Sequence, residues 1–418
     1  MVSLVRILML SQSGDGLGLA HRLVSEGHKV DVFIRESQYK KAGIGIVDRI
    51  PSWRPHLAKA DLVVVDMVGF GNYEETIRKA KKPLIGCSPL MDIAELDRQR
   101  GISLFNKFGI DIPETFSFKS PKQARDILKL WKSPGYVIKP SGNISTAKTC
   151  VARSPDIYEH ALGLLEDEQH LIVQRIVEGV EVSTEGWWNG RSWVFPFNHT
   201  FEEKRLMNEG LGPNTGCMGN VVVAARKVNK LAGATVLKLE PFLKQTTYRG
   251  PIDVNAIVTA DKVYALEITA RFGYDALEAL MEGLQEPVTD LIFETAIGVK
   301  KEMRITSGYM IAVRLSVPPW PHDEPALEDA GQPLLGLNEH NLKHVYLTDV
   351  YKEGEKYFYA AGDGAVLKAT ADGVSVREAR RRVYRTLAGL EISGKQYRTD
   401  IGQRVEGDME KLKAWGWL

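Results

Sequence analysis

Leu266-Glu267-Ile268-Thr269-Ala270-Arg271-Phe272-Gly273 alternates apolar with oxygen-bearing side chains, and it follows Asp253-Val254-Asn255 by about one hairpin. On a β-strand alternate residues project from the same face, so Asp253, Asn255, Glu267 and Thr269 are expected to share a surface. A polar set on the inward face of strands otherwise built from Ile, Val and Leu is costly unless something binds it. Magnesium fits that need, because it takes hard oxygen ligands and keeps its remaining positions for phosphate and water. Arg271 follows at once, where a guanidinium can hold an oxyanion or a carboxylate bidentately. The competing reading is an edge strand with solvated polar residues.

Three upstream segments point the same way. In Val137-Ile-Lys139-Pro-Ser-Gly142-Asn-Ile-Ser-Thr-Ala-Lys148 a lysine ends an apolar run, a small polar loop follows, and a second lysine opens the next run. Such loops wrap a triphosphate, since backbone N–H groups approach closely and lysines neutralise charge. Leu171-Ile-Val-Gln174-Arg-Ile-Val177-Glu-Gly179-Val-Glu181-Val-Ser183 reads as strand, hinge and strand. A hinge of this kind offers backbone groups to an adenine edge, and Glu181 is placed for ribose hydroxyls. In Glu202-Glu-Lys204-Arg205 … Gly212-Pro-Asn214-Thr215-Gly216-Cys-Met-Gly219 the Gly, Asn and Thr residues suit neither a helix nor a good strand, and are expected to serve a turn or a close backbone approach to a ligand. The adjacent Lys-Arg pair suggests an anion pocket.

The chain around these segments has 418 residues, too many for one ordinary core. A hydrophobic content of 44% with 26% charged residues is that of a soluble globular protein, and a net charge of +1 removes any global electrostatic case for nucleic acid or membrane. Cys87, Cys150 and Cys217 form no CxxC pair, which suits a reducing cytoplasmic setting and argues against a disulfide framework or a zinc site. No apolar run approaches a membrane span, and Arg6 to Leu10 reads as a strand rather than a signal peptide.

Short apolar runs at Ile7–Leu10, Val30–Ile34, Leu62–Val65 and Pro83–Gly86, separated by helical patterns, predict a Rossmann-like parallel sheet over residues 1–95. An α+β unit is expected over 96–306. It has helical patterns at Asp97–Phe108, Val228–Leu243 and Ala276–Ile297, and a smaller subdomain at about 115–186. A small C-terminal α+β unit, 307–418, carries strands near Tyr309–Ser316 and Ala365–Ala369 and a helix near Ser375–Leu387. The fold class is therefore a multidomain α/β and α+β protein.

The order of these features resembles the ATP-grasp superfamily. Gly212-Pro-Asn-Thr-Gly-Cys-Met-Gly219 is similar to the signature loop of the phosphoribosylamine–glycine ligase family, with Cys217 as the one change. Glu267-Ile-Thr-Ala-Arg-Phe-Gly273 and the tail through Tyr397-Arg-Thr-Asp-Ile-Gly402 resemble that family too. The resemblance implies a Rossmann-like pre-ATP-grasp domain, an ATP-grasp core and a C-terminal domain. It also implies a cytoplasmic ligase of purine biosynthesis, monomeric or homodimeric, that joins an amino acid carboxylate to an amine with ATP and Mg²⁺ or Mn²⁺. Small-molecule substrates are then the only partners expected. By the same resemblance Arg100 (or Arg98), Lys139 and Lys148 contact phosphates, Gln174 to Val177 form the adenine hinge, and Glu181 holds the ribose. Glu267, with Asn255 and Thr269, binds the metal. Arg271 and Lys204 act at the reacting groups. Gly14, Asp15, Gly16, Asn214, Thr215, Gly216 and Asp275 face the substrates.

Departures from the family concentrate on the amine side. Its Gly-Gly-Arg-Glu-His-Ala turn reads Ser13-Gly14-Asp15-Gly16-Leu-Gly18 here, although three spaced glycines can still cradle a phosphate at a helix start. Thr269 stands where the family has an asparagine ligand. A ligase with a different amine acceptor and an inactive nucleotide-binding protein are the alternatives. A dinucleotide oxidoreductase is disfavoured because Leu19 breaks GxGxxG, and Arg377–Arg385 reads as a helix face rather than a nucleic-acid patch.

Overall fold

The computed structural model describes residues 4–140, 149–225, 228–273, 275–322 and 329–418. Lys148 and the polar loop before it lie outside the described residues.

The N-terminal alternation folds as read. Strands β1 (Arg6–Ser11), β2 (Lys29–Ile34), β3 (Asp48–Arg49), β4 (Leu62–Val65) and β5 (Leu84–Ile85) form one sheet in the order β3-β2-β1-β4-β5. All its pairings are parallel. The Leu-Val-Val-Val run of β4 is wholly buried, as suits β-branched residues in a strand covered on both faces. The helix Leu17–Ser25 buries Leu19, Ala20 and Leu23 and gives way to Gly27, whose φ of 92° only glycine adopts without strain. Because the strands run parallel, the loops after β1, β2 and β4 leave from one edge of the sheet.

Four strands make a second, antiparallel sheet in the order β6-β9-β7-β8: β6 (Thr115–Phe118), β7 (Tyr136–Pro140), β8 (Cys150–Ala152) and β9 (Leu171–Arg175). Tyr136, Ile138, Tyr158 and Val173 form its small core. Residues 176–179 then lead into the largest sheet. That sheet contains β10 (Val180–Trp188), β11 (Trp193–Met207), β12 (Leu211–Ala225), β13 (Gly250–Val258) and β14 (Val263–Thr269). It also contains β15 (Tyr309–Leu315), β17 (Val345–Leu347) and β20 (Leu367–Gly373), in the order β14-β13-β10-β11-β12-β15-β20-β17. It thus runs without a break past residue 307. A three-stranded sheet of β16 (Pro333–Leu334), β18 (Val350–Glu353) and β19 (Lys356–Tyr359) completes the strands.

Two helical patterns are shorter than read. Val228–Leu243 divides into Lys230–Ala234, a 3₁₀ turn Val236–Leu239 and Glu240–Leu243, with Thr235 outside the helical region at φ −120° and ψ −106°. Ala276–Ile297 is two helices, Ala276–Gly283 and Val288–Ile297, because Pro287 holds the chain extended between them.

The larger correction concerns Gly212–Gly219, which forms strand rather than turn. β12 pairs along β11 from Phe197↔Ala225 to Met207↔Leu211, and the turn is confined to Asn208–Gly210. Glycine and asparagine are tolerated there because the register slips between Glu203 and Arg205 and again before Met207. Residues without bulky side chains fit such bulges.

Candidate active site

Register across the large sheet places Glu267 beside Asn255, Asn255 beside Ser183 and Ser183 beside Thr200. The next row places Thr269 beside Asp253 and Asp253 beside Glu185. These residues line one cleft of about 780 Å³, which is also lined by Lys139 and Gln174 from the small sheet and by the loops after β1, β2 and β4.

At one end three carboxylates surround a lysine. Lys204 Nζ lies 3.1 Å from Glu267 Oε1, 3.3 Å from Glu181 Oε1 and 3.5 Å from Glu202 Oε2. Burial alone would lower the lysine's pKa, but Glu267, Glu181 and Glu202 hold it well above the ordinary value. In return Lys204, helped by Lys139 and Arg98 against the effect of burial, holds Glu267 well below the usual carboxylate range. Lys139 is only 9% exposed. Its burial, with Arg98 and Lys204 nearby, brings it down to about 8 despite Glu267 and Glu181.

A divalent cation fits the neighbouring oxygens. Asn255 Nδ2 donates to Ser183 Oγ at 3.2 Å, while the buried Asn255 Oδ1 has no hydrogen-bond partner. A buried acceptor left unmade costs about 1–3 kcal/mol, and this one lies one ladder position from Glu267. Among the described residues no three His, Cys, Asp or Glu converge into a cage of their own. Glu267, Asn255 and Thr269 would therefore leave positions for phosphate oxygens and water, the usual magnesium arrangement.

Several sequence candidates sit elsewhere. Gln174 lines the cleft with its Nε2 on Thr115 Oγ1 at 3.1 Å, but Val177, half-buried in the hinge, is not part of the lining. Glu181 turns its carboxylate toward Lys204. Arg100 is exposed and outside the cleft, whereas Arg98 lines it. Two residues on a helix differ by about 200° in direction, so only one of this pair can face the cleft. Asn214, Thr215 and Gly216 line it, and Thr215 Oγ1 donates to the Lys204 carbonyl at 2.9 Å. The buried Cys217 thiol accepts from Gly219 N at 3.3 Å, and burial raises its pKa well above that of a free cysteine.

The other end of the cleft is a set of interlocked charges. Arg314 clasps Asp275 through Nη2–Oδ1 at 2.7 Å and Nε–Oδ2 at 3.3 Å. Lys368 Nζ donates to Glu278 Oε1 at 2.9 Å. Asp15 Oδ1 lies 3.6 Å from Lys368 Nζ and 4.0 Å from Arg314 Nη2. Burial would raise the Asp15 carboxyl, yet those two cations hold it below its ordinary value. Arg271 Nε donates to Glu95 Oε1 at 2.7 Å. Asp275 is fully buried and does not line the cleft, nor do Gly14 and Gly16. The phosphate cradle expected at the first helix is filled from within. A Cβ on Gly16 would lie 2.2 Å from Asp66 Oδ2, and that carboxylate also takes the Ser11 hydroxyl at 2.5 Å. A carboxyl group of the protein itself thus occupies the positive end of the helix. Burial raises Asp66 to about 7.

Residues 100–276 match the family described as phosphoribosylglycinamide synthetase, ATP-grasp (A) domain. Over those residues the chain is similar to the ATP-grasp domain of that family. A phosphoribosylamine–glycine ligase from Streptomyces coelicolor is 26% identical over 364 residues, covering 83% of this chain and 85% of the relative. A crystal structure of the Thermotoga maritima phosphoribosylamine–glycine ligase superposes with a TM-score of 0.72 at 21% identity, covering 95% of this chain and 100% of that one. The fold is shared more widely. A biotin carboxylase from Campylobacter jejuni gives a TM-score of 0.68 at 13% identity, covering 98% and 97%.

Sequence reasoning overlooked Arg314, Lys368 and Asp363 at the Asp15 end of the cleft and Glu185 in the second oxygen row. A signal was present for two of them. Arg314 interrupts Met310-Ile-Ala-Val313 and Leu315, and Lys368 interrupts Val366-Leu and Ala369, each a charge inside an apolar strand. Asp363 gave no such signal, because its place in the lining depends on Asp349. The carboxylate of Asp349 accepts from the backbone N–H of Gly362 and Asp363 at 2.7 and 3.1 Å. Among the described residues no helix is long and apolar enough to cross a membrane.

Proposed function

We propose that this chain is an ATP-dependent carboxylate–amine ligase of the phosphoribosylamine–glycine ligase type, working with Mg²⁺ or Mn²⁺ and taking glycine or a similar small amino acid as carboxylate. One observation carries the reading. Lys139, Lys204, Glu267 and the orphaned Asn255 oxygen come from four different strands and meet in one cleft. That set offers cations for a triphosphate beside oxygen ligands for its metal.

The chemistry follows from charge. The amino acid carboxylate attacks the γ-phosphorus of ATP, forming an O–P bond as the bond to the ADP oxygen breaks. Lys139, Lys204 and Arg98 neutralise charge on the transferring group, which is the main task in phosphoryl transfer. The metal, when held by Glu267, Asn255 and Thr269, supplies further neutralisation and alignment. The amine nitrogen then attacks the acyl carbon, phosphate leaves, and the nitrogen gives up a proton as the amide forms. No enzyme nucleophile is needed. Arg271 is suited to orient the carboxylate, and Asn214 to Gly216 border the same space. Enclosure between the two sheets protects the acyl-phosphate from water.

Steady-state ADP release with glycine, ATP, Mg²⁺ and phosphoribosylamine tests the reading. Turnover dependent on all four supports it. Absence of any glycine-dependent exchange between the bridging and non-bridging oxygens of ATP would remove the acyl-phosphate step. A second reading, with an amine other than phosphoribosylamine, is favoured by the Asp66 carboxylate that fills the helix N-terminus on the amine side. Glycine-dependent exchange without turnover of phosphoribosylamine would select it.

A further inference from the structure

The strand that carries Lys204 is the least regular part of its ladder. Pairing with β12 slips between Glu203 and Arg205 and again between Arg205 and Met207, so backbone carbonyls here need other donors. Three are supplied. Arg404 Nη2 donates to the Glu202 carbonyl at 2.9 Å, Thr215 Oγ1 to the Lys204 carbonyl at 2.9 Å, and Arg398 Nη1 to the Arg205 carbonyl at 3.1 Å.

Glu202 and Lys204 line the cleft, so Glu203 between them faces the back of the strand. Both guanidiniums meet there. Arg404 Nε lies 2.6 Å from Glu203 Oε1 and Arg398 Nη2 lies 3.2 Å from Glu203 Oε2. The same C-terminal segment also holds the hairpin tip, through Thr399 N on Asn208 Oδ1 at 2.9 Å and Glu209 N on Asp400 Oδ2 at 2.8 Å. It is itself fixed from behind, with Tyr384 OH on the Arg398 carbonyl at 2.9 Å and Arg380 on the Thr399 carbonyl at 3.0 Å. Arg398 is 2% exposed, and Asp400 takes its remaining donors at 2.7 and 2.8 Å.

We propose that Arg398 and Arg404 are positioning residues, which set from behind the depth at which Lys204 and Glu202 enter the cleft. Neither touches the reacting groups; each acts through the β11 backbone and Glu203. Their removal leaves the strand paired through Phe197–Phe201, where the ladder is regular, and loosens only the stretch that presents Lys204. The proposal rests on Lys204 acting in the ATP chemistry, and the test separates the two.

The full chain is compared with Arg398→Ala/Arg404→Ala, Arg398→Lys/Arg404→Lys, Glu203→Gln and Lys204→Met by ADP release with varied ATP under saturating glycine, Mg²⁺ and phosphoribosylamine. The alanine pair is expected to lower kcat tenfold or more with KM for ATP changed less than threefold. Glu203→Gln is expected to lower kcat three- to fivefold. The lysine pair, which keeps the charge on Glu203 but loses the planar fork, is expected to recover part of the loss. A kcat within twofold of the parent in the alanine pair overturns the proposal. So does a parallel loss of kcat, ATP affinity and thermal midpoint that the lysine pair does not relieve. If the alanine pair fails to fold, Glu203→Gln decides by the same split, and an unchanged kcat there overturns the proposal. Full activity in Lys204→Met overturns the role of Lys204, and the clamp with it. Loss in Lys204→Met with full activity in the alanine pair overturns the clamp alone.

Discussion

The two ends of the cleft are both densely charged, but they hold their charges differently. At the Lys139–Lys204–Glu267 end the charged groups face open space, and a neighbouring buried oxygen, Asn255 Oδ1, has no partner. At the Asp15–Arg314–Asp275 end the charges pair with one another inside the protein, with Arg314 4% and Asp275 0% exposed, although the buried Glu278 Oε2 has no hydrogen-bond partner. Charges that line the cleft leave room for a ligand to join them, whereas buried ion pairs mark where the protein has paired its charges internally. The first end should therefore respond to mutation in catalysis and the second in stability.

The largest effect expected is at the closed end. Arg314→Ala removes the bidentate partner of the buried Asp275 and leaves it only Lys368, 3.8 Å away, and breaking such a buried pair costs about 3–5 kcal/mol. Urea denaturation should show that loss. Arg314→Met with Asp275→Asn should be milder than the single change, because no bare charge remains. A loss below about 1 kcal/mol in Arg314→Ala would mean that this end is solvated and able to exchange partners with a ligand.

At the open end Glu267→Ala should leave the unfolding transition nearly unchanged and lower ADP release by about 10²-fold or more, the scale for removing a preorganised electrostatic group. The lost carboxylate is both the proposed metal ligand and the nearest carboxylate to Lys204. Activity within tenfold of the parent would dissolve the contrast between the two ends.

The same contrast explains what could be read from the sequence. The parallel N-terminal sheet was legible because each strand is a short β-branched run such as Leu62–Val65. The open end was legible because Asn255, Glu267 and Thr269 lie at alternating positions on adjacent strands, so local spacing already puts them on one face. The closed end was not. Asp15, Asp275, Arg314 and Lys368 come from four separate segments, and no local period relates them. Arg100 was preferred to Arg98 for a related reason, since the facing of a helix is set by its packing. The Gly212–Gly219 stretch does not announce a strand, because Gly, Pro and Asn each have poor strand propensity. The ladder tolerates those residues where its register slips.

Asn255 offers a finer test of the open end. Asn255→Ala removes the orphaned oxygen and leaves Ser183 without its donor, a change of modest size for folding. The Mg²⁺ concentration for half-maximal activity should rise about tenfold, in the range seen when a supporting metal contact is lost. Thr269→Asn, which lengthens the neighbouring oxygen donor, should lower it. Unchanged Mg²⁺ dependence in both variants would place the metal elsewhere, and Glu267 would then act through Lys204 alone.

The smallest effect expected concerns Lys139, where burial and neighbouring cations bring the pKa down to about 8 in the free protein. Only the protonated ammonium neutralises phosphate, so kcat/KM for ATP should fall as pH rises through about 8, approaching tenfold per unit beyond it, since that ratio reports the free enzyme. Once ATP is bound its negative charge favours the ammonium, and kcat should hold to higher pH than kcat/KM. Lys139→Arg keeps a cation that does not titrate in this range, at the cost of a bulkier group, so it should lower kcat/KM modestly at pH 7 and abolish the alkaline limb. If the limb persists in Lys139→Arg, the titrating group is not Lys139. The Lys204 ammonium, which its three carboxylates keep protonated to still higher pH, would not account for it either.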